Sequence, residues 1–287
     1  MRFTTRIATF AAAAALIGCA HSPHSAAPST AGAPAADSVT IALWRMDEQS
    51  GTRLADGGPL RLTGIAGRAV QHPFGRFGNA LGFELSIDSF ALVPYHAGLE
   101  SPKLLTVEAW VYPTAYGNFA DTPIAGRWTE EANQQSWIFT LAGRRLNITL
   151  PGQGARYHLT LFPDVVAGRL MFAYQPAAAS PPRAYVSTRT VEINRWTHVA
   201  AVFDGQVVRF YLDGELDSQF ASLGAIRASE APLLIGNYFD LRSLTGFEGD
   251  LHPDPADPSA YYAFQGKIDE LRLSNAARQS FPTRAPH

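Results

Sequence analysis

The sequence predicts an all-β fold, a two-sheet antiparallel β-sandwich, and three observations carry that expectation. In the stretch from Val191 to Glu215, two runs of alternating β-branched and aromatic residues flank Asp204-Gly205, a dipeptide suited to a tight type I′ hairpin turn. Short apolar runs separated by Gly, Pro and Asp turns recur along most of the chain. No long amphipathic helical pattern interrupts them. With Asp204-Gly205 as a two-residue turn, Phe203 faces Gln206, Ala201 faces Val208 and Val199 faces Phe210. One face then carries Val199, Ala201, Phe203, Val208, Phe210 and Leu212, and the other Trp196, His198, Arg209 and Tyr211. Burying a large apolar side chain gains ~1.5 to 3 kcal/mol, and ordering each backbone residue costs ~1 to 2 kcal/mol. Such a hairpin therefore needs a second sheet over its apolar face.

A length of 287 residues holds one large β domain or two small ones, and 46% hydrophobic content allows a substantial core. With 23 basic and 25 acidic residues the net charge is −2, so the chain lacks the electrostatic footprint of a nucleic-acid binder.

Residues 1–19 have a basic start at Arg2 and Arg6 and an apolar run from Ile7 to Ile17, too short to span a bilayer, as in an export signal. Their ending, Leu16-Ile17-Gly18-Cys19, resembles a bacterial lipobox, which implies that Cys19 is acylated and anchors the protein to a membrane. Ala20 rather than Asp follows, which that resemblance reads as an outer-membrane lipoprotein, facing the periplasm or the exterior. An ordinary signal peptide that discards Cys19 is the alternative. No other cysteine exists, so no intramolecular disulfide forms. Residues 20–37, rich in Ala, Ser and Pro, read as a flexible linker in which His21 and His24 make no metal site alone.

The folded domain is expected over 38–278, followed by a C-terminal tail at 279–287. It opens with the strand pattern Val39 to Met46, and residues 67–84, although glycine-rich, carry no Gly-Lys-Ser/Thr and read as turns between strands. Between Asn133 and Ser187 the runs SWIFTLAG, RLNITLPG, RYHLTLFP, GRLMFAYQ and AYVST are further strand candidates, with Pro163 and Pro181-Pro182 marking loops or edges. The stretch from Phe239 to Ser259 reads as a solvated acidic loop.

ALWRMDEQSGTRLAD at 42–56, FGNALGF at 77–83, LTVEAWVYPT at 105–114, the central hairpin, LLIGN at 233–237 and FQGKIDELRLSNAAR at 264–278 follow one another in an order that resembles the laminin-G-like group of the concanavalin A-like superfamily. The resemblance implies a jelly roll. It also implies a structural calcium beside the terminal strands, with Asp47 and Asp269 in the matching acidic positions, completed by carbonyls and water because calcium takes six to eight oxygens.

Enzymes of this fold need particular carboxylates, and the Glu-x-Asp-x-Glu pattern of laminarinase relatives is missing; of the alginate-lyase motifs two are missing and the third, Arg-x-Glu-Leu-Arg, is altered, with Ile268 before Asp269-Glu270-Leu271-Arg272. Asp269 and Glu270 are adjacent, so on a regular strand they point to opposite faces. The reading is therefore a non-catalytic carbohydrate-binding or adhesion module. Trp110, Trp137 and Tyr211 are the expected stacking residues, and Arg209 the donor to sugar hydroxyls, on an outward aromatic platform. The alternatives are a structural domain of the cell envelope that binds an envelope or extracellular protein, and a polysaccharide-degrading enzyme of the same fold.

Overall fold

The computed structural model describes residues 29–118, 120–129, 133–144, 165–178, 180–222, 224–238 and 262–283, with the backbone alone at 244–245 and 252–253. The strands in chain order are β1 (Thr40–Trp44), β2 (Arg53–Ala55), β3 (Thr63–Ala66), β4 (Leu81–Phe83), β5 (Ala91–Val93), β6 (Leu105–Pro113), β7 (Thr122–Trp128), β8 (Gln135–Leu141) and β9 (Arg169–Tyr174). They continue with β10 (Arg183–Thr190), β11 (Thr197–Phe203), β12 (Val207–Leu212), β13 (Glu215–Ala221), β14 (Leu233–Ile235), β15 (Leu244–Thr245), β16 (His252–Pro253) and β17 (Gly266–Ser274). A 3-10 turn, Ala97–Leu99, precedes β6.

Two antiparallel sheets form the expected sandwich. The terminal sheet, which contains the first and last strands, runs β1-β17-β6-β11-β12-β13, with β4 also paired to β17. The second runs β10-β9-β8-β7-β14-β5-β3-β2. Their facing sides share one core that includes Trp44, Val107, Phe139, Phe172, Phe203, Phe210, Ile235 and Leu271. The period-two pattern of β11 and β12 does the sorting: Val199, Ala201, Phe203, Val208, Phe210 and Leu212 all enter that core, as expected.

The register of this hairpin differs from the expected one by two residues. Phe203 pairs with Val208 and Ala201 with Phe210, so Gly205-Gln206, not Asp204-Gly205, occupies the turn. Asp204 stays outside it because its carboxylate accepts the Gln206 and Val207 N–H groups and pairs with Arg209. Gly205 alone takes the left-handed φ, at 85°. A two-residue shift keeps every side chain on its face, and so the face assignment survived a misplaced turn.

SWIFTLAG, GRLMFAYQ and AYVST become β8, β9 and β10, whereas RLNITLPG and RYHLTLFP lie outside the described residues. So do residues 1–19 with Cys19, and most of the acidic loop, of which only the β15–β16 backbone pair is described. The end of the expected linker, residues 29–37, does not hang free. Arg272 donates to the Ala35 carbonyl at 3.1 Å, and Arg278 holds the Asp37 carboxylate at 2.6 and 2.8 Å. Polar backbone and one acidic side chain dock this stretch where an apolar count foresaw nothing to bury.

Candidate functional site

The outer face of the terminal sheet is set by register. Across β17, β6 and β11, Lys267 lies beside Tyr112, Asp269 beside Trp110 and then His198, and Arg272 beside Glu108 and then Ala200. Trp196, the residue before β11, completes the first row through ring contact with Tyr112 at 5.5 Å.

The second row owes its chemistry to an irregularity in β17. That strand pairs with β4 from Gly266 to Ile268 and with β1 from Leu271 to Ser274, and its register on β6 slips between Asp269 and Arg272. Glu270 takes φ 52° at this bulge. Its carboxylate therefore comes to the same side as Asp269, within 3.5 Å of Arg45, contrary to the opposite faces expected of adjacent strand residues. Asp269 Oδ2 accepts the Arg76 and Phe77 N–H groups at 2.8 and 3.0 Å, and Asp47 Oδ1 accepts the Asn79 N–H at 3.1 Å. The loop from Gly75 to Asn79 is thus clasped between two carboxylates. A Cβ on Gly78 would lie 1.9 Å from Asp47 Oδ1 and one on Gly75 2.2 Å from the Asn79 carbonyl, which is why glycine stands at both places.

Asp269 and Glu270 are 0% and 1% exposed, and Asp269 Oδ1 and both Glu270 oxygens have no hydrogen-bond partner. Burial, together with repulsion from Asp47, pushes the Asp269 carboxyl up to about 7. Burial and the neighbouring Asp269 push Glu270 up to about 8. Among the described residues no three His, Cys, Asp or Glu side chains gather closely enough to hold an ion by themselves.

In the third row Glu108 accepts from Arg272 Nε at 2.8 Å and meets His198 Nε2 at 3.1 Å. Burial would raise the Glu108 carboxyl, but His198 and Arg272 outweigh it and hold it below the ordinary value. Phe281 of the C-terminal segment closes this row, its ring 4.6 Å from Tyr211 and 5.7 Å from His198.

The expected platform is consequently not open. Trp137 is 1% exposed in the main core, stacked on Phe172. Trp110 does lie on the outer face, but it is 2% exposed beneath Arg76, whose guanidinium sits 4.9 Å from its ring, with Phe77 and His198 at its edges. Tyr211 is 6% exposed under Phe281, and Arg209 is half-buried against Asp204 at 2.6 Å. Tyr112 and Trp196 stay half-exposed on this face, with Lys267 Nζ 5.4 Å from the Tyr112 ring. Alternation had placed Trp196 on the hairpin's second face, and what it lacked was the cover laid over its neighbours.

A laminin-G-like family profile, described as the Concanavalin A-like lectin/glucanases superfamily, matches residues 88–253. The chain belongs to this superfamily. Among solved members of similar fold, domain 4 of AbnA, a GH43 extracellular arabinanase from Geobacillus stearothermophilus in complex with arabinotriose, is 18% identical. It aligns over 83% of this chain and 93% of its own, with TM-score 0.51. The binding domain of Paraclostridial Mosquitocidal Protein 1 (11% identity, 84% of this chain, TM-score 0.56) and the botulinum neurotoxin type G receptor-binding domain (12%, 84%, 0.52) are also similar. This chain spans about half the length of those two, 49% in each case. At such identities the likeness is one of fold. No match was found among curated proteins.

Proposed function

We propose that this concanavalin A-like sandwich is an exported, lipid-anchored module that binds carbohydrate without turning it over, held at an outer membrane through Cys19. The observation that carries the reading is the shelf of Tyr112 and Trp196, half-exposed side by side with Lys267 beside them. Aromatic faces of this kind suit the apolar face of a sugar ring, and an ammonium donates to its hydroxyls. Binding without hydrolysis is supported by the closure of Asp269 and Glu270, whose raised pKa values would otherwise suit a general acid but which no glycosidic oxygen reaches beneath the 75–79 loop.

Calcium has a structural part in this reading. Asp47 and Asp269 would hold the ion together with backbone carbonyls and water, and the oxygens of Asp269 and Glu270 that lack a hydrogen-bond partner fit a hard cation. Its charge would neutralise the buried carboxylates and steady the loop they clasp.

A glycan panel with Trp196→Ala and Trp137→Ala variants tests the proposal. Each stacking ring adds ~0.5 to 1.5 kcal/mol beyond area burial, so Trp196→Ala should weaken glycan binding severalfold at an unchanged Tm. Trp137→Ala should cost ~3 to 5 kcal/mol of stability, because it empties the core. Unchanged affinity in Trp196→Ala, or sugar released from a polysaccharide by the purified protein, would refute the reading.

A further inference from the structure

The shelf does not end at Lys267. That residue's ammonium, 5.4 Å from the Tyr112 ring, donates to the Phe74 carbonyl at 3.1 Å. Phe74 is 43% exposed and forms one side of a pocket whose other lining includes Thr30, Asp47, Gln49, His72 and Asn79. We propose that this pocket is a second subsite, contiguous with the shelf, that takes an uncharged, hydroxyl-rich sugar residue, and that the docked N-terminal segment supplies one of its walls. The inference rests on the carbohydrate-binding reading and extends it to a substrate class.

The class follows from the polar groups in the lining. Asn79 spends its side-chain N–H groups on the Asp47 and Glu48 carbonyls, at 3.3 and 3.4 Å, and so offers the pocket its amide oxygen. Asp47 contributes a carboxylate, Gln49 an amide and Thr30 a hydroxyl. Acceptors therefore dominate, and they call for a ligand rich in donors, as a ring of sugar hydroxyls is. Neither lysine nor arginine lines the pocket, so a ligand carboxylate or sulfate would face Asp47 with no lysine or arginine of the lining to pair with. The exposed Phe74 ring supplies the apolar surface on which C–H faces of a pyranose or furanose rest.

The walls are fixed rather than loose. His72 Nε2 donates to the Gly51 carbonyl at 2.8 Å, and the Asp47–Asn79 bond of 3.1 Å sets the floor. Gly78, at φ 52° against Asp47, leaves no room for a side chain there. Thr30 belongs to the stretch held by the Arg272–Ala35 and Arg278–Asp37 bonds, so the position of that wall depends on the docking of the N-terminal segment.

The test is calorimetric binding by the full chain of neutral oligosaccharides graded in length, from the arabino, xylo and cello series, and of oligogalacturonides, in calcium and in chelator. Neutral chains should bind better than acidic ones in both. Phe74→Ala and Gln49→Ala should each weaken neutral-chain affinity ~2- to 10-fold, as expected for one aromatic or one hydrogen-bonding contact, with Tm unchanged. Thr30→Trp should do the same by filling the pocket. If these three bind like the wild type while Trp196→Ala loses affinity, the shelf stands and the subsite is wrong. Preference for oligogalacturonides would overturn the assigned class. Wild-type affinity in Trp196→Ala and Phe74→Ala alike, or no oligosaccharide bound at all, would remove the carbohydrate reading beneath both.

Discussion

Asp269 and Glu270 hold protons in the fold that the unfolded chain has released by about pH 4 to 5. Their raised values, about 7 and about 8, therefore make stability fall as pH climbs from about 5 to about 8. Glu108 has the opposite sign. Held below its ordinary value by His198 and Arg272 in spite of burial, it contributes stability that is present above the unfolded pKa and lost on acidification. In chelator, the melting temperature should peak near pH 5 and decline toward pH 8. Calcium, by displacing protons from the cluster, should raise the midpoint by several degrees at pH 8 and much less at pH 5; identical midpoints with and without calcium at both values would reject a bound ion. The same residues mark how far single positions could be read. Asp47 and Asp269 were legible as an acidic pair at the two ends of the domain, but Glu270 was not, because its side depends on a bulge that alternation does not foresee. Trp110 was legible as outward-facing, yet Arg76 and Phe77 lie over it from a loop some thirty residues earlier in the chain, and no local pattern encodes that cover. Trp196 carried an outward signal as well and escaped the cover.

Strand edges show a second level of organisation. β10 and β13 end their respective sheets, and both present exposed backbone at the same margin of the sandwich. Asp217 on β13 accepts the Thr188 and Arg189 N–H groups of β10 at 2.6 and 2.9 Å, and the Arg189 side chain returns to Asp217 and Glu215. One carboxylate therefore closes two open donors of an edge strand that another chain would otherwise pair with. Asp217→Ala should cost ~1 to 3 kcal/mol, speed hydrogen exchange at Thr188 and Arg189 selectively, and favour self-association at high concentration. Unchanged exchange at those two amides would show that the seam is held by other contacts. At this level the sequence was most legible. β8, β9, β10 and the two strands of the central hairpin stand where alternating runs placed them, since a strand buried on one side records its environment in its own period. The turn was misplaced because Asp204 can either enter a turn or cap it, and the choice is made by Arg209 and two amides.

At the scale of the molecule, the first and last described segments, residues 29–37 and 275–281, lie on the outer face of the terminal sheet. Residues 29–37 are held by Arg272 and Arg278, and residues 275–281 by the Val39 carbonyl, by Thr106 and by packing of Phe281. If Cys19 is the anchor, metabolic labelling with a fatty-acid analogue should mark the wild-type protein and not Cys19→Ala, and the variant should leave the membrane fraction. A Cys19→Ala protein that stays membrane-bound would exclude lipidation as the attachment. None of this docking was legible beforehand, because Ala, Ser and Pro offer no apolar period, and the bonds that hold the stretch are made to its backbone and to one aspartate.

The clasp between Asp37 and Arg278 also decides how the domain bears tension. A protein tethered at its start and gripping a polymer on its surface is pulled from two points. If Cys19 anchors the chain, the pull would enter through Arg278, Arg272 and the hydrogen bonds of β1 directly into β17, the strand that also carries Lys267 of the shelf. On that proposal the load path from anchor to ligand would run within a single sheet without crossing the apolar core, so a force that detaches residues 29–37 would shift Thr30 at the pocket before it opened the sandwich.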